Sequence, residues 1–359
     1  MGQYTYIYRD KECEEVEANL LDAVDRAVRA KYGRCPDPAI VRRIEEEWEA
    51  IGRTDTLADV AALHELTEWL RAERHPYWVR SSGASSFLLY LLGITRANPL
   101  PPHRYCPKCG RVEWVSAYKD GFDIPQGRCC PKDGAHLIGD GHDLPHRMVF
   151  GYERGREYFE ITVPTDLYPV LLSEWDTYWR RVHAERGEAG GSIRAGGVNV
   201  LCCLDRDKIS DGFYDHDYGA SERKAMLAKV NLLTHLPEEY RACGIVPKTI
   251  ADLIALCGLA HFGCLRCEDT LKPMRRFGCT FSDLPSHRDD IYRRLLASGK
   301  TEEEAWHGMM AGSLDGRSDS LDERTMWLNS WIADFGSDIR YLFPRANDIE
   351  HILFTMKAL

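Results

Sequence analysis

The chain has 359 residues, 44% hydrophobic, 10% aromatic and 28% charged, proportions that exclude a disordered, collagen-like or fibrous protein and leave one large or two moderate folded domains. Its net charge of −10 supplies no global positive field to recommend nucleic acid as a partner, although a mean charge is blind to a local basic groove. Thirteen cysteines, an odd number, in a chain whose start (MGQYTYIYRDKE) has no signal-peptide pattern point to reduced thiols, metal ligation and a cytoplasmic setting, with zinc the first cofactor to consider.

Residues 1–75 read as helical: Val16, Leu20, Leu21, Val24 and Val28 recur near a 3.6-residue period, IVRRIEEEWEAIG repeats the pattern, and Gly33 and Pro36 separate the two. Residues 1–70 hold 9 basic and 16 acidic side chains, which reads as a solvated helical face. YWVRSSGASSFLLYLLGIT is a Ser/Gly turn opening into a helix over Ser85 to Leu92. Its apolar core, Phe87 to Ile94, falls far short of the roughly 20 residues that cross a bilayer, so no membrane partner is expected. After the Pro-marked junction NPLPPH, Tyr105 to Asp143 is rich in Cys, Gly, Asp and Lys with little apolar periodicity, as in a small metal-organised insertion. EYFEITV and GGVNVLCCL read as strands, and MLAKVNLL and TIADLIALCGL as helices. From Pro247 onward the chain reads as all-helical, with Ser282-Asp283 and Thr301-Glu302-Glu303-Glu304 as helix starts. The fold class is therefore α+β.

Cys106-Pro-Lys-Cys109-Gly is a zinc-knuckle sequence: two thiolates three positions apart on a tight turn face one ion, and the glycine permits the turn. Cys129-Cys130-Pro-Lys-Asp133-Gly repeats the frame with aspartate in the fourth thiolate's place. Zinc accepts an Asp oxygen, so Cys106, Cys109, Cys130 and Asp133 form the expected structural site, with Cys129 or His136 as alternates. A second set, His261, Cys264, Cys267 and Cys279, also has ligand-compatible spacing, against the plainer reading of buried cysteines in a helical stretch.

Tyr77 to Phe87 (YWVRSSGASSF), Gly93-Ile-Thr, Asn98-Pro-Leu-Pro-Pro-His103, the Cys106 knuckle, Gly121-Phe-Asp-Ile-Pro125 and Asp140-Gly-His-Asp-Leu-Pro145 occur in an order that resembles the PolC-type alpha subunit of bacterial DNA polymerase III. Similarity resumes at Arg194 to Val200, Lys229 to His235, Ser282 to Ile291 and Arg340 to Ala346. The resemblance runs from about residue 25 to the C-terminus. It implies a C-family palm remnant with a zinc-binding insertion: residues 1–75 a helical lead-in, 76–235 the palm-like core with the insertion at about 104–143 and a thumb reduced to roughly Pro164 to Ile193, and 236–359 a helical, fingers-like region. The family's exonuclease, hairpin and oligonucleotide-binding modules and the rest of its fingers are not expected in a chain ending at Leu359.

Family members extend primers by a two-metal mechanism that needs three aspartates. An Asp-x-Asp pair on a palm strand matches Glu160 and Thr162 with a one-residue gap, or Phe159 and Ile161 without it. The third aspartate matches Asn231, whose neutral amide is a poor magnesium ligand. Magnesium is therefore not expected. In the triphosphate turn Arg80 and Ser82 agree with the family while Trp78 and Ser81 replace its glycines, and near the C-terminus Phe343-Pro-Arg345-Ala-Asn347 keeps a cation and loses a histidine. The resemblance thus implies a pseudo-polymerase that binds a replication protein, DNA or a nucleotide, with a mobile element or phage as a compatible source. One alternative is an active nucleotidyltransferase using Glu157, Glu160, Asp166 or the run Asp205, Asp207, Asp211, Asp215 and Asp217. Another is a zinc-stapled adaptor with no nucleic-acid role. His235 and His261, which match family positions, are expected to be packed scaffold histidines.

Overall fold

A computed structural model describes residues 10–152, 159–178, 183–187, 190–210, 213–214, 222–228, 247–260, 274, 276–311 and 343–358. Three helices open it: α1 (Asp10–Tyr32), α2 (Pro38–Thr54) and α3 (Leu57–Ala72). Leu20, Val24, Val28 and Tyr32 line the buried side of α1 at four-residue spacing. Gly33, at φ +76, ends it with its N–H on the Arg29 carbonyl. Asp37 caps α2 by accepting the Ala39 N–H at 2.9 Å, and Pro38 takes the first helical position.

The helices cover one face of a five-stranded sheet. Its strands are β1 (Trp78–Arg80), β5 (Phe159–Pro164), β6 (His183–Gly187), β7 (Gly190–Ala195) and β8 (Val198–Leu204), in the order β1-β5-β8-β7-β6. All pairs are antiparallel except β5 with β8. Val79, Ile161, Val163, Val198, Val200 and Ile193 bury their side chains against α1–α3 and the short α4 (Phe87–Leu91). Alternation along each strand sends the polar residues to the other face. The segment between β5 and the β6–β7 hairpin folds as helix α6 (Tyr168–Tyr178).

Residues 103–140 form a separate three-stranded sheet of β2 (His103–Tyr105), β3 (Val112–Trp114) and β4 (Ile138–Asp140), in the order β3-β2-β4. The motifs at its root make one buried network. Asn98 donates to the Tyr32 hydroxyl at 2.9 Å and to Asp140 at 2.7 Å, Lys31 pairs with Asp140 at 2.7 Å, and His142 meets Asp120 at 2.8 Å. Lys31 and its neighbours hold the Asp140 carboxyl well below the usual range against the opposing effect of burial.

A second core gathers α7 (Arg223–Ala228), α8 (Ile250–Ala260), α9 (Arg288–Ala297), α10 (Glu302–Ala311) and α11 (Arg345–Ala358). Every residue of α8 is buried. Asp123, from the Gly121-Phe-Asp-Ile motif, accepts the free N–H groups of Ile250 and Ala251 at 2.8 and 3.0 Å and so caps α8 from outside its own segment. Thr301 begins α10 with a reciprocal capping box to Glu304, as its sequence signals. Ser282-Asp283 does not start an α-helix. Those residues form a single 3₁₀ turn, Leu284 before Pro285 is extended, and α9 starts at Arg288. Proline forces the preceding residue out of the helical region.

The two cores meet along residues 143–151. Helix α5 (Arg147–Phe150) sends Met148 into the helical core and Val149 and Phe150 into the sheet core. Four arginines hold the main chain of this segment: Arg43 donates to the Leu144 carbonyl at 2.8 Å, Arg53 to Gly151 at 3.0 Å, Arg288 to Met148 at 3.0 Å, and Arg293 to Asp143.

Helix α3 is tied to the β7–β8 turn by Asp59, which accepts the Gly197 N–H at 2.8 Å. Burial pushes the Asp59 carboxyl up to about 6. A folded-state value above the unfolded one means the native state binds the extra proton, so stability falls as pH rises from about 4 through about 6. Asp59→Asn is expected to raise the unfolding free energy at pH 7.5 by up to about 3 kcal/mol and to change little at pH 4. Urea titrations at the two pH values check this, and an equal effect at both would contradict it. Among the described residues no helix is long and apolar enough to cross a membrane.

Candidate functional site

Strand pairing lays a polar row across the sheet face opposite α1–α3: Arg80 opposes Glu160, Glu160 lies beside Asn199, and Asn199 opposes Arg194. Directly paired residues share a face, so these side chains come from four strands onto one surface. Glu160 accepts from Asn199 Nδ2 at 3.2 Å. The Arg80 guanidinium stacks over Trp78, 5.4 Å from its ring centroid. Burial raises the Cys203 thiol on the same face, with Arg80 opposing the shift and Glu160 adding to it.

One rung along, Trp78 pairs with Thr162. Thr162 is only 2% exposed. Trp78 is itself packed against His351 and Phe354 of α11, with centroids 5.2 and 6.2 Å away. The turn after β1 places Ser81 at φ +59, a left-handed conformation that costs a non-glycine residue about 1 kcal/mol. Its N–H donates to Asn347 Oδ1 of α11 at 3.0 Å, and Ser82 beside it is buried.

Arg80, Ser82, Glu160 and Thr162 are thus gathered at the β1–β5 end of the sheet. Arg345 lies in the polar network beneath: its guanidinium is 3.8 Å from Asp120, and its own N–H donates to Asp289 at 2.9 Å. Asn231, His235, Glu157, Asp211, Asp215, Asp217, His261, Cys264 and Cys267 lie outside the described residues. Cys279 belongs to the helical hydrophobic core. Asp166 pairs with Arg206 and Asp205 with Lys208, both at 3.1 Å, on the two exposed turns that follow β5 and β8. Asn199 and Arg194, which complete the row, were not singled out from sequence as site residues. Only the strand register identifies them.

Cys106, Cys109, Cys130 and Asp133 come together with their ligand atoms all within 4.8 Å of one another. Two turns of identical hydrogen bonding build the site. Cys106 N–H donates to the Arg111 carbonyl and Gly110 N–H to Cys106, while Cys130 N–H donates to Ala135 and Gly134 N–H to Cys130. Gly110 and Gly134 sit at φ +73 and +71. Asp133 therefore occupies in the second turn the place of Cys109 in the first. Tetrahedral zinc places two thiolates about 3.8 Å apart and a thiolate and carboxylate oxygen about 3.6 Å apart. Cys109 and Cys130 Sγ are 3.7 Å apart, and Cys106 Sγ lies 3.3–3.4 Å from the Asp133 oxygens. The Ala135 N–H, with the neighbouring thiols, holds the Asp133 carboxyl at about 2, so at neutral pH it is an anionic donor. The four residues are arranged to hold a metal ion such as zinc. Cys129 and His136, the sequence alternates, fall outside this cluster, because alternation along the hairpin turns them to its other side.

The chain matches curated sequences over more than half of its length. A DNA polymerase III PolC-type from Thermotoga maritima is 32% identical over 234 residues, 62% of this chain and 16% of that protein. The Thermotoga petrophila protein of the same description is 32% identical over 209 residues, 55% and 14%, and that from Lacticaseibacillus paracasei is 28% identical over 227 residues, 61% and 15%. This is a PolC-like chain. It spans about one-seventh of the length of the PolC proteins it matches, and no protein-family model matches it. The buried Asn98, His103, Asp123, Asp140 and His142 all belong to the motifs that carry the PolC resemblance, and each makes a scaffold contact, Asp123 by capping α8 and the others at the insertion root.

Proposed function

We propose that this chain uses a PolC-like palm scaffold, stapled by a structural zinc at Cys106, Cys109, Cys130 and Asp133, as a binding surface without two-metal nucleotide transfer. On this reading residues 76–235 are the palm, with the zinc insertion at about 104–143, residues 236–359 are a fingers-like region, and the partner is DNA, a nucleotide or a replication protein.

The observation that carries the reading is the condition of β5. Two magnesium ions need closely spaced anionic oxygens. At the matched positions Glu160 is engaged by Asn199 and faces Arg80, while Thr162 offers only a hydroxyl and is buried beside Trp78. Among the described residues the Cys₃Asp cluster is the one group of three or more ligating side chains close enough to share an ion. The Ser81 N–H, in the turn matched to triphosphate binding, is already taken by Asn347. The acids of the two exposed turns, Asp166 and Asp205, are paired with Arg206 and Lys208.

Primer extension with Mg²⁺ and with Mn²⁺, at protein in excess over primer-template, is expected to give no added nucleotide. Incorporation that Glu160→Ala abolishes would overturn the reading in favour of a rearranged transferase. Binding of labelled primer-template that weakens steeply with salt is the result expected for a DNA partner.

A further inference from the structure

The hairpin that supplies Cys130 has a second, outward face. Cys129 and His136 oppose each other directly across it, both exposed, with Cys129 Sγ 3.7 Å from His136 Nδ1. On the inward face Cys130 and Leu137 pack with Cys106, so the two pairs lie on opposite sides of the turn's backbone. The spacing of the outer pair has a chemical meaning. Metal–sulfur and metal–nitrogen bonds of about 2.3 and 2.0–2.1 Å at a tetrahedral angle set the two donors about 3.6 Å apart. The pair therefore stands at the bite distance of a single ion, held there by a turn whose backbone is fixed by Cys130 N–H to Ala135 and Gly134 N–H to Cys130.

We propose that Cys129 and His136 form a second metal site, separate from the four-donor cluster, that takes a borderline-soft divalent cation of the zinc class. The neutral imidazole gives its Nδ1 lone pair and Cys129 binds as thiolate, so each ion bound releases one thiol proton to solvent, and water fills the two open positions. With two protein donors against four, and both exposed, this site holds its ion more weakly and exchanges it faster than the cluster behind it.

The test is a Zn²⁺ titration of metal-free full-length protein against a competing chelator, with Co²⁺ as the spectroscopic probe. Two equivalents are expected: one resists the chelator, and the second is readily removed and contributes a thiolate-to-cobalt charge-transfer band. Cys129→Ser and His136→Asn, singly and together, are expected to remove the second equivalent and leave the first. Both side chains are exposed, and circular dichroism verifies that folding is unchanged. Cys106→Ser is expected to spare the weak site while losing the tight one. Binding of one equivalent or none by the wild type, or retention of the second in the double variant, overturns the proposal.

Discussion

Glu47→Ala is expected to lower the unfolding free energy by about 3–5 kcal/mol, a large share of the roughly 5–15 kcal/mol that keeps an ordinary domain folded. Glu47 is fully buried and accepts four hydrogen bonds: from Arg43, from Ser86 Oγ at 2.7 Å, and from the N–H groups of Phe87 and Leu88 at 2.9 and 3.0 Å. Those N–H groups open α4, where no intrahelical acceptor exists. Alanine would strand two buried amides and a hydroxyl and take the counter-charge from the Arg43 guanidinium, and an unpaired buried donor costs more than its bond contributes. Glu47→Gln keeps one acceptor oxygen and should lose roughly half as much. Chemical denaturation of the three proteins reads this directly, and a loss below about 1 kcal/mol for alanine would mean that solvent reaches the site.

The second large effect is expected at the metal hairpin's footing. A Cβ on Gly110 would stand 2.1 Å from the Tyr32 carbonyl carbon and 2.3 Å from the Gly33 nitrogen, main-chain atoms at the end of α1 that have no rotamer to change. Gly110→Ala should therefore cost about 3 kcal/mol, overpacking and left-handed strain combined, and weaken metal retention as the knuckle lifts from α1. Gly134→Ala is the matched control. It has nearly the same φ, yet its Cβ would meet nothing within 4 Å, so only about 1 kcal/mol of backbone strain is expected. Equal losses for the two variants would show that the hairpin does not rest on α1.

Much of this arrangement is legible in the sequence, and the illegible part has physical reasons. The repeated Cys-Pro-Lys-x-Gly frame locates the ligand set because each frame is a local turn. The helices of residues 10–72 follow from apolar period, and β5 and β8 from apolar residues at alternate positions, Phe159, Ile161 and Val163 in the one and Val198, Val200 and Cys202 in the other. Strands β1 to β4 have three residues each, too short for alternation to declare itself. Glu47 sits in the run Glu45-Glu46-Glu47-Trp48-Glu49, and the acidic N-terminal region reads as a solvated face. Only the packing of α2 on α4 reveals that one of those glutamates points inward. Charge content describes a segment as a whole, whereas burial is decided side chain by side chain. Similarly, the choice between Asp133 and its alternates depends on which side of a hairpin each faces, and composition carries no such information.

The arginine grip on residues 143–151 has a consequence for how this chain tolerates change. Arg43, Arg53, Arg288 and Arg293 all donate to carbonyl oxygens, which every amino acid possesses. The hydrogen bonds of the joint are therefore independent of residue type at the positions they grip, but packing is not: Leu144 and Met148 are each 1% exposed in the helical core, and a Cβ on Gly151 would stand 2.8 Å from Trp306, so the joint holds its sequence through what it buries and not through what the arginines bind.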